Sequence, residues 1–216
     1  MSRFAVLFGT CLLGTALAMA APAPKKLTIS PLDLQPKANR KLADSLHDYK
    51  DAKNDLAGLK KGKHSFNGIS FEVGDKLIEL GSKKVADSPE KVEGIAVGRM
   101  VEKIHFLHST GYKESAEEVV GKYVIHYEIG GNEEIDIVYG KDVYDWWTEA
   151  CTPNVTRGKM VWEGKNEATT RFNTTTQLFL MSWTNPHPRR KVTQIDFVSS
   201  QTDSAPFCVA ITVEAK

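Results

Sequence analysis

The residues with the most chemistry in reach are rings, amides and carboxylates. Asp145-Trp146-Trp147 sets a carboxylate beside two indoles, and Trp183-Thr-Asn185-Pro-His-Pro188 sets a third indole two residues from an amide. Flat rings stack on pyranose faces while amides and carboxylates hydrogen-bond the hydroxyls, so these residues are candidates for carbohydrate contact. His105-Phe-Leu-His108 adds two histidines, and His126 lies on a neighbouring stretch. Positions i and i+3 of a strand point to opposite faces, so this pair is not expected to chelate one ion. Core or hydrogen-bonded histidines are the first reading of the pair, and His105 and His108 are also grouped with Asp145, Trp146, Trp147, Trp183 and Asn185 as candidate ligand-contacting residues. Adjacent strand residues also face opposite ways, which predicts that one of Trp146 and Trp147 is core and the other faces outward.

Other chemistries lack their motifs. The chain has no G-x-S-x-G elbow, no H-E-x-x-H, no zinc-type cysteine spacing and no glycine-rich phosphate loop. Carboxylate pairs can be drawn at will from 27 acidic residues, so they make no case for glycoside hydrolysis. The basic runs Lys60-Lys61-Gly-Lys63 and Arg189-Arg190-Lys191 read as solvated loops. The expectation is a protein that is not an enzyme and requires no cofactor.

The stretch Lys103 to Trp147 positions most of these groups. Tyr123, Ile125, Tyr127 and Ile129 alternate with Lys122, Val124, His126 and Glu128, and Ile135, Ile137 and Tyr139 continue the pattern. A period of two predicts strands with one buried face, as in antiparallel sheets. Gly130-Gly131-Asn132 between the two runs predicts a tight hairpin turn. Ile104, Phe106, Tyr123, Ile125, Tyr127, Ile135 and Ile137 are the predicted core. Asp142 to Trp147 reads as a further strand. Gln177 to Trp183 is an almost unbroken apolar run, as expected of a strand buried on both sides. Leu42, Leu46, Tyr49 and Leu56 have helical spacing within a polar excursion over 36–62, and 163–173 reads as a polar loop. About eleven short strands with no βαβ unit predict an all-β, antiparallel β-sandwich.

The N-terminus carries its own signals. A basic start at Arg3, an apolar run from Phe4 to Ala18 and the small-x-small Ala18-Met-Ala20 predict a signal peptide over 1–20, cleaved near Ala20. Phe8-Gly-Thr10 before Cys11 fits a lipoprotein box poorly. An exposed leader over 21–26 and one domain over 27–216 would follow, secreted, periplasmic or held at the cell envelope. No later segment reaches the ~18 apolar residues of a membrane helix, so the protein is not expected to span a membrane. Loss of Arg3 would leave 27 basic against 27 acidic residues, which gives no electrostatic case for nucleic acid as a partner. Cys151 and Cys208 remain after cleavage. They either pair, which would stabilise by roughly 4 kcal/mol on the chain-entropy model, or stay as separately buried thiols.

Several motifs carry a resemblance. Gly62-Lys-His-Ser-Phe66-Asn-Gly68-Ile69-Ser-Phe71, Ile104-His-Phe-Leu-His108, Tyr123-Val-Ile-His-Tyr127, Gly140 to Trp147, Trp183-x-Asn185-Pro-x-Pro188 with Ile195-Asp-Phe197, and Asp33-Leu34 with Asn39 resemble galactose-binding-like β-jelly-roll modules of secreted bacterial proteins. Those modules are similar to carbohydrate-binding modules. The chain departs where an Asp-Gly turn is usual, having Ile129-Gly-Gly-Asn132. The resemblance covers most of 27–213. It implies a jelly roll, a glycan or another extracellular surface as partner, and a structural calcium for which Asp33, Asn39 and Asp196 are the candidate ligands. Three functions are expected in order: a non-catalytic carbohydrate-binding module, a structural or protein-interaction module of the envelope, and a small extracellular hydrolase.

Overall fold

A computed structural model describes residues 27–47, 53–149 and 155–215. The chain order is β1 (Thr28–Pro31), β2 (Arg40–Lys41), β3 (Gly62–Phe66), β4 (Ile69–Val73), β5 (Lys76–Glu79), β6 (Lys91–Met100) and β7 (Lys103–Gly111). It continues with β8 (Val119–Tyr127), β9 (Asn132–Val138), β10 (Trp147–Thr148), β11 (Lys159–Gly164), α1 (Glu167–Phe172), β12 (Thr175–Thr184), β13 (Lys191–Ser199) and β14 (Ala205–Ala215).

Two antiparallel sheets pack face to face. One runs β12-β7-β14-β5 at its centre, with β10, β11, β1 and β2 added at its margins; the other runs β6-β13-β8-β9. From β5 to β14 the chain changes sheet at every step between these eight strands except the β8–β9 hairpin. That alternation is jelly-roll winding. The predicted all-β sandwich is therefore present, with fourteen strands among the described residues rather than about eleven. The difference comes from two-residue pairings such as β2 and β10, too short for periodicity to register.

The inter-sheet core holds all seven predicted core residues, Ile104, Phe106, Tyr123, Ile125, Tyr127, Ile135 and Ile137. Tyr123 stacks on Phe106 at 3.9 Å and on Phe197 at 4.8 Å between ring centroids. The hairpin turn is as expected, with Gly130 at φ 95° and Gly131 at φ 84°.

A second apolar layer covers the outer face of the larger sheet. Leu42, Leu46, Leu56, Leu59, Phe66 and Phe71 pack there on Leu107, Leu178, Leu180, Phe207 and Val209. The alternate residues of β7, β12 and β14 thus meet apolar partners on both sides, which explains the unbroken run at Gln177–Trp183. Glu79 ties the cover down. Its buried carboxylate accepts from the His47 amide at 2.7 Å, Arg40 Nε at 2.8 Å and Ser88 Oγ at 2.9 Å.

Three local expectations differ. Leu42, Leu46 and Leu56 are buried as their spacing implied, but from turns held by Glu79 rather than from a helix, and Tyr49 lies outside the described residues. The 163–173 loop contains α1, whose start is a capping box: Asn166 Oδ1 accepts from the Thr169 amide and Thr169 Oγ1 from the Asn166 amide, both at 2.8 Å. Residues 142–146 form a corner rather than a strand. The exposed sheet also ends irregularly, because β6 carries Gly94 at φ 75° and Gly98 at φ 68° and its register with β13 shifts twice.

The third layer makes a direct prediction. Phe71→Ala is expected to cost about 3–5 kcal/mol, read from the urea midpoint, with no gain from refolding around the void. Ile129→Ser, at a residue 79 % exposed, should shift the midpoint by less than about 0.5 kcal/mol. An unchanged midpoint for Phe71→Ala would mean that the cover adds no stability.

Candidate functional site

The corner that carries Asp145-Trp146-Trp147 is anchored by a neighbour. Asp142 is fully buried; its Oδ1 accepts from Arg157 Nε at 2.6 Å, and its Oδ2 from Arg157 Nη2 at 2.5 Å and the Val138 amide at 2.8 Å. Such a two-pronged guanidinium pair fixes direction as well as distance. The chain then runs between β7 and β12, with the Trp146 amide donating to Thr110 O and the Gln177 amide to Trp146 O.

This geometry places the two tryptophans. Trp146 is 1 % exposed and meets Phe207 edge-on at 5.6 Å in the outer layer. Trp147 is half-buried at the rim of the same layer; its indole N–H donates to Thr174 Oγ1 and its ring meets Phe172 edge-on at 5.6 Å. One indole is core and the other partly exposed, but both lean on one cluster because the corner lacks strand alternation.

Asp145 is half-buried beside Tyr112, Tyr139 and Tyr144. Its Oδ1 accepts from the Trp147 amide at 3.1 Å. Burial pushes its carboxyl up to about 6, against the opposing pull of the Trp147 and Tyr112 amides and of Lys113 and Lys84. Tyr112 stands at φ 64°, a left-handed conformation that a non-glycine residue holds only under local constraint. Nothing in the sequence flagged Tyr112 or Arg157.

The histidines lie on opposite faces of β7, as the i, i+3 argument requires. His105 Nδ1 is 2.8 Å from Ser182 Oγ and its Nε2 3.1 Å from Glu214 Oε1; burial lowers its pKa while Glu214 pulls the other way. His108 is in the inter-sheet layer, with Nδ1 3.2 Å from Tyr123 Oη, and burial lowers its pKa to about 4. Both are only 1–3 % exposed, so neither reaches the surface to touch a ligand.

The second motif lies at the other end of the sandwich. Asn185 Oδ1 accepts from Tyr127 Oη at 2.6 Å and from the His187 amide at 2.9 Å, and its Nδ2 donates to Val101 O at 2.9 Å. Trp183 is half-buried against the inter-sheet core. Asp145-Trp-Trp147 and Trp183-x-Asn185 therefore do not form one site: β7 runs from Lys103, paired with Thr184, to Thr110, bridged to Asp145. At the Asn185 end two concavities, of about 350 and 490 Å³, flank Arg189 and Arg190. In the sequence these arginines are marked only by a short basic run, with an isoleucine beside two turn glycines at 129–131.

The calcium candidates have separate partners. Asp33 Oδ1 accepts from the Gln35 amide, Asn39 exchanges two hydrogen bonds with the Glu79 backbone, and Asp196 Oδ2 meets His126 Nε2 at 2.6 Å. Among the described residues no three His, Cys, Asp or Glu side chains are grouped to hold a metal. Cys208 is a buried free thiol pushed up to about 12 by burial; Cys151 lies outside the described residues. Among the described residues no helix is long and apolar enough to cross a membrane. No protein family, curated protein or solved structure matches the chain.

Asp145 and His108 titrate in one window with opposite sign. Asp145 is raised from 3.8 to about 6, so its contribution to stability is complete below pH 3.8 and gone above about 6. His108 is lowered from 6.5 to about 4, so its contribution is present above pH 6.5 and lost as pH falls toward 4. The two slopes offset each other in the wild type. Asp145→Asn should leave stability rising more steeply with pH across this window, and His108→Phe should leave it falling. Urea midpoints at half-unit steps check this; an Asp145→Asn profile parallel to wild type refutes it.

Proposed function

We propose that the chain is a secreted, non-catalytic binding module that takes carbohydrate. The observation that carries this reading is the employment of its buried carboxylates. Glu79, Asp142 and Asp196 each accept from backbone amides while also meeting an arginine or a histidine. Asp145 accepts from two amides. A glycosidase needs two carboxyl groups facing one cleft, one of them exchanging protons. Here the buried acids hold corners and strand ends.

Trp147 and Trp183 support sugar contact, since each keeps part of its ring at the surface beside polar groups. The likeness to carbohydrate-binding jelly rolls points the same way, although a fold hosts many functions. A second reading has its own support. The outer face of the β6-β13-β8-β9 sheet presents Lys122, Val124, His126, Glu134, Gln194 and Asp196, with no Phe, Tyr or Trp among its described residues. A face of that kind suits a structural or protein-interaction module of the envelope.

Retention on insoluble plant, algal and bacterial polysaccharides separates the two. At least one polymer should retain the protein, and Trp147→Ala or Trp183→Ala should weaken retention by roughly tenfold, the scale of one lost aromatic contact. Passage through all three polymer classes without retention rejects the sugar reading and leaves the second.

A further inference from the structure

The end of the sandwich at Asn185 carries a cationic lip with an apolar wall. Arg189 and Arg190 line both concavities there, of about 350 and 490 Å³. Volumes of this order suit a small ligand or one or two units of a polymer.

The two guanidiniums differ in how they are held. Arg190 Nη1 donates to Gly130 O at 3.2 Å, and its guanidinium carbon lies 6.0 Å from the Tyr127 ring centroid. Gly130 stands at φ 95°, and a Cβ there would lie 2.8 Å from that nitrogen, so glycine leaves room for this approach. Tyr127 is itself fixed by Asn185. Arg190 is thus oriented before any ligand arrives. Arg189 has no hydrogen-bond or ion-pair partner among the described residues. Nearby, Lys191 pairs with Glu128 at 2.8 Å, and His187 Nε2 lies 3.3 Å from Glu133 Oε1.

The wall beside them is apolar. Ile129 is 79 % exposed at the hairpin tip and Met100 is 54 % exposed at the end of β6. Pro186 and Pro188 line the second concavity, in a loop closed by the Arg190 amide donating to His187 O. A solvated basic loop would need neither the hydrogen bond that seats Arg190 nor the prolines.

We infer that this end binds acidic glycans, with Arg189 and Arg190 meeting a carboxylate or sulfate on the sugar. A guanidinium presents two parallel N–H groups that match either anion, and it sheds water more readily than an ammonium. Ile129, Met100 and the prolines offer surface to the C–H faces of the rings, and the two concavities share Arg189 and Arg190. This rests on the carbohydrate reading above and narrows it to charged polymers.

The full-length mature protein is tested by affinity electrophoresis in gels containing polygalacturonate, alginate, dextran sulfate, or neutral dextran and galactan. Retardation is expected in the acidic gels, weakened roughly ten- to hundred-fold by Arg189→Ala and by Arg190→Ala. It should also fade between about 50 and 500 mM salt. Thermal melting confirms folding, and Arg189→Ala, which removes no internal bond, should melt as the wild type does. Equal retardation of wild type and both variants in acidic gels overturns the inference. Retardation in neutral gels alone overturns it while leaving the carbohydrate reading intact. Retardation in no gel defeats both. Capture by phosphatidylglycerol vesicles that soluble galacturonate oligomers do not compete away would make the lip a lipid contact and also overturn it.

Discussion

A sheet that is apolar on both faces needs two covers, and much of this chain exists to supply them. The strands β12, β7, β14 and β5 are flanked by the second sheet on one side and by residues 42–47 and 53–73 on the other. The balance is narrow. A buried Leu or Phe stabilises by about 1.5–3 kcal/mol, while ordering each backbone residue costs about 1–2 kcal/mol. A cover with few large anchors and many polar residues holds because its anchors land on an apolar face that would otherwise meet water. Glu79 contributes by accepting three hydrogen bonds at the seam, so that its charge is buried with partners rather than alone.

What could be read in advance follows from how each signal is encoded. The β8–β9 hairpin was legible because alternation and turn glycines are local. The double burial of β12 was legible for the same reason, as an absence of alternation. The cover was misread because Leu42, Leu46 and Leu56 are spaced like a helix, yet their positions answer to a distant sheet. α1 was readable in principle from Asn166-x-x-Thr169, a capping box with threonine where glutamate is more familiar. The candidate site was hardest. Asp145-Trp-Trp147 and Trp183-x-Asn185 stand out by composition, but which ring is buried, and that the motifs occupy opposite ends, depends on strand direction over the whole domain. The seat of Arg190 joins residues sixty positions apart in sequence, at Gly130 and Arg190.

The two ends differ in kind. At one, Asp145 is half-buried among tyrosines and accepts from backbone amides, and burial raises its carboxyl. At the other, Asn185 uses its whole amide to stiffen a loop and leaves the neighbouring arginines facing out. With one face of the large sheet occupied by the chain's own cover, the sandwich itself leaves these ends and the outer face of the smaller sheet open to solvent.

The ragged margin of that smaller sheet has a consequence for colloidal behaviour. Its outermost strands are β6 and β9. β6 is bent by two glycines in left-handed conformations, and β9 places Glu133, Glu134 and Asp136 within seven residues. A kinked margin offers a visiting strand no continuous row of amides, and an acidic one repels its own copy. Edge-to-edge pairing of this sheet with a second copy is thereby discouraged at both of its borders.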